Sequence, residues 1–171
     1  SDLAVAGGKG ANLGDLLHAG FHVPTGFVVT TVAYGEAAAA AGLTEDLIAN
    51  RLAAGSEGAA AIRSALETAP VPQAIAEAIT MAYGSLGTGP VAVRSSATAE
   101  DLPGATFAGQ QDTFLDVSGE QELLSAVRRC WASLWTDRAI SYRAKVGMGS
   151  EEVRIAVVVQ KMVSAESAGV M

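Results

Sequence analysis

The sequence predicts an α/β (α+β) domain in which a small sheet stands beside an alanine-rich helical part. Residues 32–86 carry the helical half. Alanine is abundant there, aliphatics recur at helical spacing, and Gly42, Gly55, Gly58 and Pro70-Val71-Pro72 cut the stretch into about four pieces. Short β-type runs supply the strands, at residues 27–30, 90–94, 112–117 and 153–163. The two kinds of segment divide the chain into a mainly helical part, residues 7–86, and a part with sheet and long helix, residues 90–171.

In order, Leu13, Leu16 and Leu17 lie on one face of a short first helix that Gly20 can close. Residues 23–26 form a turn before the first strand, and Thr30 or Thr31 can cap the next helix. The apolar faces that follow are Leu43, Leu47 and Ile48, then Ile62 and Leu66, then Ile75, Ile79 and Leu86. Such stripes are core before they are anything else. Ser118 with Gln121 fits a capping box at the start of the longest helix. There Leu123, Leu124, Val127, Cys130, Trp131, Leu134 and Trp135 repeat at helical spacing, while Glu122, Arg128, Arg129 and Arg138 read as a solvated face. A break near Thr136-Asp137 fits the pattern, and the unbroken aliphatic run at 153–163 fits a strand buried on both faces.

A chain of 171 residues with 50% hydrophobic and 17% charged side chains can bury a core and is not a disordered composition. Eleven basic against 18 acidic residues give a net charge of −7, which excludes attraction of nucleic acid or anionic membrane to the molecule as a whole. A phosphate ligand would need a locally positive pocket. The single cysteine, Cys130, lies in an apolar pattern and is read as a buried small hydrophobe. No apolar run reaches membrane-spanning length and no signal-peptide pattern opens the chain, so a cytoplasmic location is expected. The start at Ser1 and the end at Met171 without a polar tail suggest a piece of a longer protein.

The chemistry concentrates in residues 91–114. An apolar run ends at Arg94 and is followed by Ser95, Ser96, Thr98, Glu100 and Asp101. A strand that delivers a planar cation to a polar turn suits phosphate, and it equally suits an ion pair with Glu100 or Asp101. Gly109, between small and amide-bearing residues, allows close approach of a backbone to a ligand. Lys9, in Gly7-Gly8-Lys9-Gly10, falls at or just before a helix N-terminus, where free N–H groups favour an anion. The motif is not a Walker A loop, and alone it also reads as a flexible turn. Gln160, at the end of the last aliphatic run, could read a purine edge or be a partly exposed strand-end amide. His18 and His22 are spaced i, i+4, but Gly20 between them and the lack of further ligands argue against a metal.

Four pieces coincide in order: Gly-Gly-Lys-Gly at 7–10, Ala-Val-Arg-Ser-Ser-Ala-Thr-Ala-Glu-Asp at 92–101, Phe-Ala-Gly-Gln-Gln-Asp-Thr-Phe at 107–114 and Val-Val-Val-Gln-Lys-Met-Val at 157–163. Together they resemble the N-terminal nucleotide-binding domain of the phosphoenolpyruvate synthase and pyruvate phosphate dikinase family, which includes rifampicin phosphotransferase. The stretch at 130–139 is similar to the antibiotic-modifying branch. The resemblance implies the first lobe of an ATP-grasp fold and a dikinase that moves the β-phosphoryl of ATP through a phosphohistidine to a small acceptor, pyruvate or rifampicin. It implies that Lys9 and Arg94 hold phosphate oxygens, that Gly109 and Thr113 belong to the loop over the phosphates, and that Gln160 sits at the adenine.

By the same resemblance, the magnesium ligands lie in a second lobe, and the phosphohistidine and acceptor domains are also outside this chain. Neither His18 nor His22 has the family's phosphohistidine context, so no catalytic residue is expected here and the fragment alone is expected to be inactive. Two rival expectations stand beside this one. A nucleotide-sensing module of a larger regulator would lack the other domains. A purely structural helical domain would leave Lys9 and Arg94 far apart and facing bulk solvent.

Overall fold

The computed structural model describes residues 2–98, 112–145, 147–149 and 154–165. It is an α+β arrangement, as expected. The elements are α1 (Leu3–His18), β1 (Gly26–Val29), α2 (Thr31–Ala40), α3 (Glu45–Ala53), α4 (Ser56–Thr68), α5 (Gln73–Ser85), β2 (Val91–Ala97), β3 (Thr113–Val117), α6 (Glu120–Ser133), α7 (Asp137–Lys145) and β4 (Ile155–Lys161). The four expected helical pieces are α2 to α5, separated at Gly42, Gly55 and the proline turn. Gly42 and Gly55 both take positive φ, which costs glycine nothing.

The strands form one antiparallel sheet in the order β1-β4-β2-β3. β1, from the helical half of the chain, flanks β4, so the last strand lies inside the sheet with partners on both sides. Its unbroken aliphatic run, buried from Ile155 to Gln160, follows from cover on both faces, by the core on one and α1 on the other. Between β2 and β3 the register shifts: Val91 faces Val117 while Val93 faces Phe114. The extra residue on β3 is a bulge, beside Asp116 at φ 56. It lets Phe114 and Val117, three apart in sequence, face the same side.

Alternation gives the sheet two unlike faces. Val29, Val91, Val93, Val117, Ile155, Val157 and Val159 point into one hydrophobic core with Ile62, Leu66, Tyr83, Leu123, Val127, Cys130, Trp131 and Trp135. Both tryptophans and Cys130 are buried there, as expected. Ala156 and Val158 are also buried, but on the opposite face, outside that core, where α1 crosses β4 and β2. Hydrogen bonds fasten the core's edges. The Tyr83 hydroxyl donates to the Thr88 carbonyl (2.8 Å) and accepts the Gly119 N–H (3.1 Å). Trp135 Nε1 donates to the Tyr34 hydroxyl (3.0 Å). Burial is the main reason that the Tyr34 phenol is pushed up to about 12.

Several local expectations need correction. β2 does not end at Arg94; it continues through the small Ser95, Ser96 and Ala97, and the two serine hydroxyls donate to the carbonyls of Asp112 and Ala6. The capping box of Ser118 with Gln121 does not form. Gly119 is the N-cap of α6, and the Ser118 N–H donates to the Glu122 carboxylate (3.1 Å). Thr30 is the N-cap of α2 without a side-chain bond, while the Thr31 hydroxyl donates to the Ala4 carbonyl (2.8 Å). Arg128 is not simply solvated: it is half-buried and donates to the Ala69 carbonyl (3.3 Å). Arg129 lies over the Phe114 ring at 4.1 Å. The break after the long helix does fall before Asp137, where α7 begins.

Candidate functional site

The face under α1 gathers the polar residues that the sequence singled out. Across antiparallel strands, residues directly opposite each other share a face. Arg94 on β2 is opposite Val158 on β4 and Thr113 on β3, and Gln160 is opposite Ala92 and Gly26. Arg94, Ser96, Thr113 and Gln160 therefore all project to the side that the helical core leaves uncovered. Arg94 and the Gln160–Ala92 pair are two residues apart along the strands, about 7 Å at strand rise.

The α1 helix brings Lys9 to the same face. The helix is broken at Gly7, whose φ of 67° and ψ of 174° are not helical. In an unbroken helix the Gly10 N–H would bond the Ala6 carbonyl. Here the Ser96 hydroxyl stands between them, accepting the Gly10 N–H (3.1 Å) and donating to the Ala6 carbonyl (2.8 Å). Ser96 is fully buried, and leaving either backbone group without a partner would cost about 1–3 kcal/mol. A Cβ on Gly7 would overlap the Ser96 carbonyl oxygen, so only glycine fits. At Gly10 the helix lies against Val28 and Val158. Lys9 is half-buried in the first turn after the break, as the glycine-lysine motif suggested.

Geometry relates that lysine to Arg94. Lys9 precedes Gly10, whose N–H is bonded to Ser96, two residues along β2 from Arg94. Thr113 is opposite Arg94, and the Ser95 N–H and hydroxyl both donate to the carbonyl of the preceding Asp112, each at 3.2 Å. The backbones of Lys9, Arg94 and Thr113 thus meet at one end of the face. The structural reading that separates Lys9 and Arg94 does not hold. Separately, burial raises the Cys130 thiol well above its ordinary range; Asp112 adds to the rise, while Arg129 and Lys9 oppose it.

Gln160 marks the other end. It is buried at 7% exposure rather than partly exposed at a strand end. Its Nε2 donates to the Pro24 carbonyl (3.2 Å), which can only accept. The amide is thereby oriented, and its oxygen remains as an acceptor. Beside it lies a hollow of about 170 Å³ whose lining includes Gly10, Leu13, Leu17, Val23, Pro24, Val28 and Val158. A largely apolar slot with one oriented amide suits a flat heterocycle. A larger hollow of about 400 Å³, lined by Tyr34, Asp46, Trp135 and Arg154 among others, involves none of the sequence-predicted site residues. The chemistry points to the smaller one.

Gly109 lies outside the described residues, as do Glu100, Asp101 and the rest of the segment from 99 to 111. His18 is on α1, where its Nδ1–H donates to the Gly14 carbonyl (2.7 Å), and His22 lies beyond the Gly20 turn. Sequence reasoning did not find Ser96, Gly7 or the Pro24 carbonyl. Two hydroxyls directly after an apolar run were the only available signal for Ser96, because its partners are about 90 residues away in the chain.

Comparison with known proteins gives the family of the chain. Residues 3–171 match the family model described as pyruvate phosphate dikinase, AMP/ATP-binding domain. Similar curated proteins include a phosphoenolpyruvate synthase of Aeropyrum pernix, 46% identical over 99% of this chain and 22% of the relative. A probable phosphoenolpyruvate synthase of Methanothermobacter thermautotrophicus is 48% identical over 99% of this chain and 27% of the relative. A rifampicin phosphotransferase of a Streptomyces species is 46% identical over 99% of this chain and 21% of the relative. The chain thus spans about a quarter of the length of the curated relatives it matches. Among the described residues, no helix is long and apolar enough to cross a membrane.

Proposed function

Because the chain belongs to the pyruvate phosphate dikinase AMP/ATP-binding domain family, we propose that the open sheet face is one wall of an ATP site in an ATP-grasp dikinase. In this reading Lys9 and Arg94 neutralise phosphate oxygens, Arg94 through two parallel N–H donors. Gly109 and Thr113 add backbone and hydroxyl contacts over the phosphates. The base lies in the slot beside Gln160, whose amide oxygen accepts from an exocyclic amine. Holding the phosphates with fixed cations supplies positioning and charge stabilisation, which is most of what phosphoryl transfer asks of a protein.

One observation carries the reading: Arg94, Thr113 and Gln160 share the sheet face that the core leaves uncovered, and the broken α1 sets Lys9 beside it. The reaction proposed for the whole protein is transfer of the β-phosphoryl of ATP, by way of a phosphohistidine, to a small acceptor such as pyruvate or rifampicin. The phosphohistidine and the acceptor-binding parts are assigned to segments outside residues 1–171. Magnesium would further neutralise the phosphates, with ligands also from outside this chain. The proposed setting is the cytoplasm.

The test is titration of the intact protein and its Arg94→Ala variant with ATP. Loss of a charged, bidentate contact should weaken binding by about 1.5–3 kcal/mol, roughly 10- to 150-fold. Equal affinity overturns the assignment of Arg94. Assay of the intact protein with ATP plus pyruvate, or ATP plus rifampicin, identifies the acceptor by which addition yields AMP and a phosphorylated product. ATP binding without turnover on either would favour a nucleotide sensor.

A further inference from the structure

Resting on the nucleotide reading above, we infer that the Ser96 hydroxyl is a positioning residue that sets Lys9 against Arg94 at the phosphate end of the site. The hydroxyl replaces a turn of hydrogen bonding in α1, with one bond to the Gly10 N–H and one to the Ala6 carbonyl. Lys9 is the residue next to that N–H. Arg94 is two residues back along β2 from the same hydroxyl, on the same face. The two cations come from opposite ends of 86 residues of chain, and this side chain is where their backbones are joined.

Three features make the joint specific. Gly7 supplies the positive φ that opens the helix, and the space a Cβ would need there is taken by Ser96 itself. Ser96 is fully buried, so water does not substitute for the hydroxyl. An alanine at 96 would leave an N–H and a carbonyl to re-pair, and the helix would turn or slide on the sheet to do so. Lys9 would move with it, whereas Gln160 is held separately by Pro24. The base slot also borders α1 through Gly10, Leu13 and Leu17, so it shifts too, but only the phosphate end loses a cation's position.

The experiment compares ATP and adenosine binding by the intact protein and its Ser96→Ala variant. The expected result is a loss of ATP affinity of about tenfold with a clearly smaller loss for adenosine. Equal loss for both ligands, or loss for neither, overturns the inference. A second arm repeats Ser96→Ala in a Lys9→Met background. Because Ser96 works on the phosphates through Lys9, its effect on ATP should shrink there to the loss seen with adenosine, and a full additive loss overturns the inference. If Ser96→Ala does not fold, Ser96→Cys leaves no cavity, being slightly larger, and weakens the bonds. It should then lose more ATP than adenosine affinity, and unchanged ATP affinity overturns the inference. The broader reading fails differently: if Lys9→Met and Arg94→Ala both leave ATP affinity intact, the nucleotide site itself is wrong.

Discussion

The two faces of the sheet are built from alternate residues of the same strands and do different work. On β4, Ile155, Val157 and Val159 enter a core with both tryptophans, while Ala156, Val158 and Gln160 lie under a single broken helix. On β2, Val91 and Val93 are buried in that core, and Arg94 and Ser96 are on the other side. The core face is large, aliphatic and closed. The other is small, polar and only partly covered. The first is filled mainly by aliphatic and aromatic packing, while on the second single polar side chains hold particular partners.

The largest expected effect tests the closed face. Trp131 is 1% exposed, and Trp131→Ala should destabilise this domain by about 3–5 kcal/mol, read from its unfolding midpoint. ATP affinity should survive under conditions where the variant is folded; a parallel loss would erase the division between faces. Next comes the reverse case. Arg94→Ala should lose ATP affinity, as above, while the unfolding midpoint shifts by no more than about 0.5 kcal/mol, since Arg94 is half-buried and outside the core. A large stability loss would make Arg94 structural.

Alkaline titration sharpens the same contrast. The Tyr34 phenol is raised from 10.0 to about 12 in the folded state, chiefly by burial. The unfolded chain therefore releases this proton first. The contribution is fully present below pH 10 and is lost as pH rises toward about 12. The buried Cys130 thiol, also raised, acts in the same direction. Unfolding midpoints should fall over that window, and Tyr34→Phe should flatten the fall; a pH-independent midpoint would contradict the burial of both groups. The smallest effect belongs to the rim. Arg129→Ala removes a cation held 4.1 Å over Phe114, worth about 0.5–1 kcal/mol in the unfolding midpoint.

Much of this was legible in the chain before folding. Helical periodicity located α2 to α6, and glycine and proline placed most of their ends. The unbroken run of valines predicted a strand buried on both faces, and β4 has the core on one face and α1 on the other. Lys9, Arg94 and Gln160 stood out because few polar residues interrupt otherwise apolar or glycine-rich stretches, while Thr113 entered only through the family resemblance. Local signals failed where small polar residues sit inside elements. Ser95 and Ser96 looked like a turn because hydroxyls compete locally for backbone partners, and nothing nearby shows that distant partners exist.

By itself the sequence located most of the helices and strands and singled out candidate side chains, because periodicity and backbone preference act over a few residues. The tertiary structure decided the rest. It set β1 beside β4, placed Arg94, Thr113 and Gln160 on one face through the cross-strand register, and used Ser96 to hold open a helix break at Gly7. Those outcomes depend on pairings up to 136 residues apart, such as Gln160 with Pro24. A one-residue change of register would turn the same side chains into the core.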